Sequence, residues 1–337
     1  MKHNTCIVIC GEKYDIGTRV VLWYETNGLN AYDTTSYTHW EEDRKTGKTR
    51  KRVVSGKRYS RRFKLPRART LKNLRKIVSQ FFLHHDGMYR SADTFRVLHV
   101  ERGLSCHFLL DDDGTIYQTM DLFDKAWHGG KCNSVSVGVE IASRARAGKY
   151  PTAYSAIRQK RYGVGPRKKR FDVINGVKML GYGYNDKQYK ALAKLAGAMV
   201  DIFPMIKPTF PMNNATVVKK TMANLRKHKG FICHFHVSRS KVDPIAFEYT
   251  RFIEMVTGGP TALFDFQGGK SLDPLDTWMD RQNALIAMGY NPGNLDGVFG
   301  PKTKLAIKRF QSDSGLVPDG VWGPKTRKAV MERLCLE

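Results

Sequence analysis

The sequence predicts a mixed α/β (α+β) fold, with a central mixed β-sheet flanked by helices and a small three-helix bundle after it. Short apolar runs rich in β-forming residues, several of them ending in histidine, predict the sheet. Apolar residues at helical spacing between residues 185 and 203 predict a flanking helix, and a motif that occurs twice beyond residue 290 predicts the bundle. With 337 residues the chain is longer than one core usually requires, so we expect two domains.

Three segments with predicted strands follow in chain order. IVSQFFLHHDG, at residues 77–87, is an apolar strand that brings His84 and His85 to its exposed end. LSCHFLLDDDGTIYQTMD, at residues 104–121, contains two strands joined by the hairpin signal Asp113-Gly114. The alternation that begins at Val135 leads to Glu140.

The next elements are a helix and a final strand. YNDKQYKALAKLAGAMVDIFP is an amphipathic helix with Asn185 and Gln188 as a capping pair and Pro204 as its stop. FICHFHVSRSKVDP, at residues 231–244, is a strand that carries His234 and His236 on one face. Two such histidine-bearing strands and a nearby carboxylate supply three ligands to Zn²⁺ and leave the fourth position open. Alternation leaves His84 or His85, and His234 or His236, as the ligands.

The order FLHHDG, CHFLLDDDGTIYQ, AWHGG, VGVEI and CHFHVSRSKVDP resembles the zinc-dependent N-acetylmuramoyl-L-alanine amidases related to peptidoglycan recognition proteins. The resemblance spans residues 77–256 and leaves residues 11–76, 144–180 and 207–229 unexplained. It implies a zinc ion bound by His84, His234 and Asp243, with His85 and His236 as the alternatives.

The same resemblance implies roles for three more side chains. Glu140 would be the general base, Lys241 would stabilise the oxyanion, and His128 in AWHGG would line the groove and hold substrate. One branch of the family has a catalytic tyrosine where this chain has Cys106, so the glutamate branch fits better. His107 is expected to pack under the sheet.

DGVFGPKTKLAI at residues 296–307 returns as DGVWGPKTRKAV at residues 319–330. Pro301 and Pro324 stand where a helix begins, because proline suits the first helical position. A third helix is predicted at about residues 275–288. Together they resemble the peptidoglycan-binding module of bacterial and phage cell-wall hydrolases. The predicted domains are therefore 1–256, a linker at 257–273, and a binding module at 274–335.

The net charge of +26 comes from two basic insertions in an otherwise balanced chain. Residues 44–76 hold 16 Lys and Arg, residues 144–170 hold 10, and neither stretch contains an acid. We place the insertions at 44–76 and 144–180. Such segments attract polyanions, so we expect anionic cell-envelope polymers as partners besides peptidoglycan. Nucleic acid is not expected, because no aromatic-rich recognition motif accompanies the charge.

The opening MKHNTCIVICGEKYD has about six consecutive apolar residues, fewer than the ~7–15 of a secretory signal, and no stretch reaches the ~18 of a membrane span. The six cysteines are scattered without CxxC spacing, which favours reduced thiols. We therefore expect a monomer made in a reducing (host) cytoplasm, without integral membrane association, that acts on the cell wall.

These features predict a peptidoglycan hydrolase of the phage endolysin type. It would cleave the amide bond between N-acetylmuramic acid and the L-alanine of the stem peptide, and so lyse the host cell. The alternative is a non-catalytic peptidoglycan-binding protein of the same fold, which would release no peptide from cell wall.

Overall fold

The computed structural model describes residues 3–42, 46–213, 216–258, 275, 278–294 and 297–333. They form two compact units. The first comprises Met1–Lys207 and Lys219–Glu248, and the second comprises Pro208–Val218 and Tyr249–Glu337. The predicted linker at 257–273 falls almost entirely outside the described residues.

The strands are, in chain order, β1 Cys6–Ile9, β2 Glu12–Asp15, β3 Val20–Leu22, β4 Tyr37–Glu42, β5 Thr49–Val54, β6 Tyr59–Arg61, β7 Gln80–His85, β8 Phe108–Leu110, β9 Ile116–Gln118, β10 Asp124–Ala126, β11 Ser136–Ile141, β12 Lys169–Ile174, β13 Val177–Tyr182, β14 Met212–Asn213, β15 Thr216–Val217 and β16 Gly230–Cys233. The helices are α1 Leu71–Leu74, α2 Ser91–Phe95 with a π-helical continuation Arg96–Glu101, α3 Ala156–Tyr162, α4 Asp186–Ile202, α5 His234–Val237, α6 Tyr249–Thr257, α7 Trp278–Ala287, α8 Pro301–Asp313 and α9 Pro324–Arg333.

The central sheet has the strand order β16-β7-β11-β8-β9-β3. β16, β7, β11 and β8 run parallel, whereas β8 and β9 form the antiparallel hairpin predicted at Asp113-Gly114. The mixed sheet flanked by helices is confirmed. Parallel strands have their carboxyl ends at the same edge of a sheet. The carboxyl ends of β7, β11 and β16 therefore bring His84, Glu140 and His234 to one edge.

Helix α4 covers the sheet with the predicted apolar face, which includes Tyr189, Leu192, Leu195, Ala196 and Met199. Its N-cap is Asn185, whose side chain accepts from the backbone N–H of Gln188 at 2.9 Å. The Gln188 side chain does not complete the predicted capping pair. It is buried and donates to the carbonyl of Ala142 at 2.8 Å, because a tertiary partner in the core competes with the local one.

The two basic insertions are folded. Within residues 44–76, β5 pairs antiparallel with β4, which precedes the insertion, and β6 pairs with β10. Arg58 is 1% exposed, and its guanidinium donates to the carbonyls of Asp33, Thr35 and Val54. Part of the basic segment is therefore internal. Within residues 144–180, α3 is followed by the antiparallel hairpin of β12 and β13.

In the second unit, α7, α8 and α9 enclose one apolar cluster that includes Leu285, Ile307, Phe310 and Val330. Thr303, Ala306, Ile307 and Phe310 of the first repeat are buried on one face of α8, and α8 and α9 begin at Pro301 and Pro324, as predicted.

A buried glutamine fastens each repeat. Gln282 accepts from Gly297 N at 2.9 Å and donates to Val298 O and Thr303 Oγ1. Gln311 accepts from Gly320 N at 2.8 Å and donates to Val321 O and Thr326 Oγ1. The glycine and the threonine of each repeat motif are thus held in the same way.

In the part of the chain that the structure describes, no helix meets the length and apolarity that crossing a bilayer demands. No disulfide links the five cysteines found there.

Candidate active site

Three side chains, one from β7 and two from the segment that follows β16, meet at the carboxyl edge of the sheet. His84 Nδ1 lies 3.1 Å from His234 Nδ1 and 3.3 Å from Asp243 Oδ2. His234 Nδ1 lies 3.0 Å from the same carboxylate oxygen. His84 comes from β7, His234 from the first residue of α5, and Asp243 from the loop that follows. The structure thus brings together the three side chains that the sequence suggested as ligands.

Hydrogen bonds alone do not satisfy this triangle. If both Nδ1 atoms are protonated, their hydrogens face each other; if either is not, its lone pair faces the carboxylate. A cation among them would attract all three lone pairs. Ligand atoms about 2.0–2.1 Å from a tetrahedral zinc ion lie roughly 3.3 Å from one another, close to the distances observed. The group is therefore able to hold a metal ion, and it is the one such group among the described residues.

The protonation states suit a metal. Burial lowers the pKa of His84 to about 4, so the imidazole is neutral at pH 7. Burial would raise the pKa of Asp243, but its polar contacts with His234 and His84 outweigh burial and hold the pKa well below the usual range. Two histidines and one carboxylate are a donor set that zinc accepts.

The alternative histidines, His85 and His236, each have a backbone N–H as partner. β16 ends at Cys233, so residues 234–237 form a helical turn, and the prediction that His234 and His236 share a strand face is wrong. His236 is fully buried, and its Nδ1 accepts from Cys233 N at 2.9 Å, which caps that turn. His85 projects from the other face of β7 and accepts from Ile245 N at 3.3 Å.

Glu140 is the partner of His84 in the parallel β7–β11 register, so both side chains lie on one face of the sheet. It is 8% exposed, and its Oε2 has no hydrogen-bond partner among the described residues. Burial, followed by the charges of Asp243 and Asp86, raises the pKa of Glu140 well above its usual value. A buried carboxyl with a raised pKa is suited to accept and return a proton.

A cavity of about 220 Å³ lies beside Glu140 and two of the three proposed ligands. It is lined by His85, Asp86, Gly87, Thr94, Val97, Leu98, Arg102, Glu140, His234, Lys241 and Asp243. Lys241 is thus placed in the same pocket as Glu140 and Asp243.

Sequence reasoning gave no role to two pocket residues, Asp86 and Arg102. Asp86 follows the two histidines directly in FLHHDG, and that position was the available signal. It accepts from Met88 N at 2.8 Å and Ser143 N at 3.1 Å, so it ties the end of β7 to the end of β11. Arg102 follows the π-helical segment and carries no such signal.

His128 lies on the far side of the His84 ring and is absent from the cavity lining. Its Nδ1 is 3.0 Å from His84 Nε2, and its Nε2 is 3.4 Å from Ser136 Oγ. AWHGG places the His128 ring against Gly138 of β11, and the role of His128 in the substrate groove stays a prediction. His107 is buried, and its Nδ1 accepts from Gly138 N at 3.1 Å.

Two imidazoles beside a carboxylate, with a second buried carboxyl suited to proton transfer, are the groups that a metal-assisted hydrolase uses. Residues 74–245 match the model of the N-acetylmuramoyl-L-alanine amidase family. Because that match covers just over half of the 337 residues, the chain belongs to this family. Residues 276–330 match a second model, the putative peptidoglycan binding domain. The protein is a peptidoglycan hydrolase that cleaves the amide bond between N-acetylmuramic acid and L-alanine.

Among solved structures, the chain is similar to a selenomethionine AmpD derivative at 18% identity, over 59% of this chain and 90% of that one, with a TM-score of 0.34. AmpDh3 from Pseudomonas aeruginosa matches at 18% identity over 76% of this chain and 91% of its own, with a TM-score of 0.32. The Ph2119 endolysin from a Thermus scotoductus bacteriophage matches at 14% identity over 71% of this chain and 99% of its own, with a TM-score of 0.34. No curated protein matches the chain. The family assignment rests on the sequence match of residues 74–245.

Proposed function

We propose that the amidase is zinc-dependent and that His84, His234 and Asp243 are the metal ligands. The observation that carries this proposal is the triangle of two nitrogens and one oxygen at 3.0–3.3 Å, which hydrogen bonds leave unsatisfied. Zinc, when bound there, supplies Lewis acidity that polarises the scissile carbonyl and brings the pKa of a water from ~16 toward ~7.

Glu140 acts as the general base in this proposal. Its unpaired Oε2 accepts the proton of the attacking water. The same carboxyl then returns the proton to the amine of L-alanine as the amide bond breaks, so the enzyme ends the cycle in its starting state. The raised pKa favours this return, because a strongly acidic carboxyl would hold the proton too weakly.

Lys241 stabilises the negative charge that develops on the carbonyl oxygen. It lines the cavity with Glu140 and is close enough for its charge to lower the pKa of that carboxyl. Loss of one donor to an oxyanion costs about 3–4 kcal/mol of transition-state stabilisation, or 10²–10³-fold in kcat. For His128 we propose that Nδ1 accepts from the Nε2–H of His84, which leaves Nδ1 of His84 available to the metal.

The test is to measure the zinc content of the purified protein and to analyse digested cell wall by mass spectrometry. We expect one zinc ion per chain and peptides with a new L-alanine amino terminus. Lys241→Ala should keep zinc and lose most turnover, whereas His84→Ala should lose both. Full activity after complete chelation would refute the zinc proposal. Tight wall binding without any released peptide would favour the recognition-protein alternative.

We further propose that the protein is a phage lytic enzyme with a catalytic domain at 1–256, a linker at 257–273 and a wall-anchoring module at 274–335. An amidase and a peptidoglycan-binding module on one chain support this role. The exposed basic residues would draw the enzyme to anionic envelope polymers. Neutralising Lys51, Lys57 and Lys64, which are exposed, while sparing the buried Arg58, should reduce the salt dependence of lysis. Unchanged salt dependence would remove this part of the proposal.

A further inference from the structure

The hairpin of β12 and β13 lies in the second basic insertion, outside the motifs that carry the family resemblance. It contacts the segment 239–248 at several points. This segment contains both Lys241 and Asp243. The hairpin therefore contacts the backbone on which two of the proposed active-site residues are mounted.

Asn175 makes the first contact from the tip of the hairpin. Its Nδ2 donates to the carbonyl of Lys241 at 3.0 Å and to that of Arg239 at 3.3 Å. Its Oδ1 accepts from Thr221 N at 2.9 Å. The side-chain amide thus links the Lys241 loop to a second loop through one residue.

Asp172 makes the second contact, on the other side of Asp243. It is 5% exposed, and its Oδ2 accepts from Ala246 N at 2.9 Å. Its Oδ1 accepts from Lys219 Nζ at 2.7 Å, so the buried carboxylate is held by an ion pair. Asn175 and Asp172 therefore fasten the chain on both sides of Asp243.

Gly181 allows this close approach. A Cβ at position 181 would lie 2.4 Å from Ile245 Cγ2 and 2.9 Å from the Cβ of Ala246, distances at which atoms overlap. Arg170 adds an ion pair with Glu248 at 2.7 Å. Four residues of the hairpin thus act on one short segment.

We propose that the β12–β13 hairpin is a positioning element of the active site, in which Asn175 orients Lys241 and Asp172 orients Asp243. The inference rests on the proposed function, since it takes Lys241 and Asp243 as active residues. The competing explanation for Asn175 is local. Asn175 and Gly176 have φ of 53° and 81°, the left-handed values of a type I′ turn, for which Asn-Gly is the preferred pair.

Asn175→Gly separates the two explanations, because glycine keeps the turn and removes every side-chain contact. We expect kcat on purified cell wall to fall about 10- to 100-fold, with KM and zinc content unchanged. Asn175→Asp, which also tolerates the left-handed φ and keeps the acceptor for Thr221 N, should not restore kcat, since it lacks the amide donors. Val173→Thr is the matched control: Val173 is 53% exposed on the same hairpin, and kcat should stay at the parental value.

A double-mutant cycle tests whether Asn175 acts through Lys241. In a Lys241→Ala background, Asn175→Gly should cause no further loss of kcat. Two results would overturn the inference and leave the proposed function intact. In the first, the losses of kcat caused by Asn175→Gly and Lys241→Ala multiply in the double variant. In the second, both Asn175 variants keep the parental kcat while Lys241→Ala is impaired. A fully active Lys241→Ala enzyme would instead refute the proposed role of Lys241 itself, and with it that of Asn175.

For Asp172 the readout is the zinc affinity of the folded protein. Asp172→Ala removes the acceptor of Ala246 N–H, and we expect zinc to bind about 10- to 100-fold more weakly. Asp172→Asn keeps an acceptor oxygen and should recover most of that loss. Equal zinc affinity in the parental protein and both variants would contradict the positioning role of Asp172.

Discussion

Replacement of Gly138 by alanine should weaken metal binding, although Gly138 is not itself a proposed ligand. A Cβ at position 138 would lie 2.5 Å from Cε1, 2.6 Å from Nδ1 and 2.8 Å from Nε2 of His128. Ordinary carbon contacts need about 3.5 Å, so the imidazole must move by about 1 Å. A shift of that size exceeds the tolerance of the 3.0 Å contact between His128 and His84, and we expect that contact to be lost.

Two quantities change in the Gly138→Ala protein. Loss of a partner that orients a metal-binding histidine lowers metal affinity about 10- to 100-fold, or roughly 1.4–2.7 kcal/mol. Overpacking of the core should also lower the free energy of unfolding by about 1–3 kcal/mol, the usual cost of small-to-large core substitutions. Chelator competition measures the zinc affinity, and denaturant unfolding of the metal-free protein measures the packing cost.

Gly148→Ala is the matched control, because a Cβ there meets nothing within 4 Å. In a His128→Ala background the clash is gone, so adding Gly138→Ala should change neither quantity further. If folded Gly138→Ala binds zinc with parental affinity, His128 does not orient His84 and the reasoning fails.

Three further predictions concern other parts of the molecule. Glu140→Gln should abolish turnover and raise the free energy of unfolding of the metal-free protein. Because the folded-state pKa of Glu140 is raised, its contribution to stability falls as pH rises from ~4.3, so the stability gained by Glu140→Gln should grow with pH and vanish in acid. A stability gain that is independent of pH in unfolding titrations would contradict this. His236→Ala should keep zinc, because His236 only caps a turn, whereas His84→Ala should lose it; elemental analysis decides. Gln311→Leu should destabilise the binding module by about 1–3 kcal/mol, because Gly320 N–H is left unpaired; a parental melting profile would argue against the fastening role.

The sequence predicted the site best where strand chemistry and chain order coincide. Apolar runs that end in histidine implied a shared sheet edge, and the parallel register of β7 with β11 places Glu140 beside His84 there. Alternation alone did not choose between His84 and His85 as the ligand. Which face of β7 lies toward His234 depends on contacts between residues 150 apart in the chain.

Other features were out of reach for physical reasons. Alternation does not show where a strand ends, so the helical turn at His234–Val237 was missed and His236 was placed on the wrong face. Strands of three residues, such as β3 and β6, are too short for a periodic signal. The Asn-Gly turn at residue 175 is visible in the sequence, but its bond to Lys241 joins residues 66 apart.

The glutamine that fastens each C-terminal repeat also joins consecutive helices of the second unit. Gln282 of α7 accepts from Gly297 N and donates to Thr303 of α8. Gln311 of α8 accepts from Gly320 N and donates to Thr326 of α9. Loss of either glutamine would therefore weaken the contact between two neighbouring helices as well as the turn that lies between them.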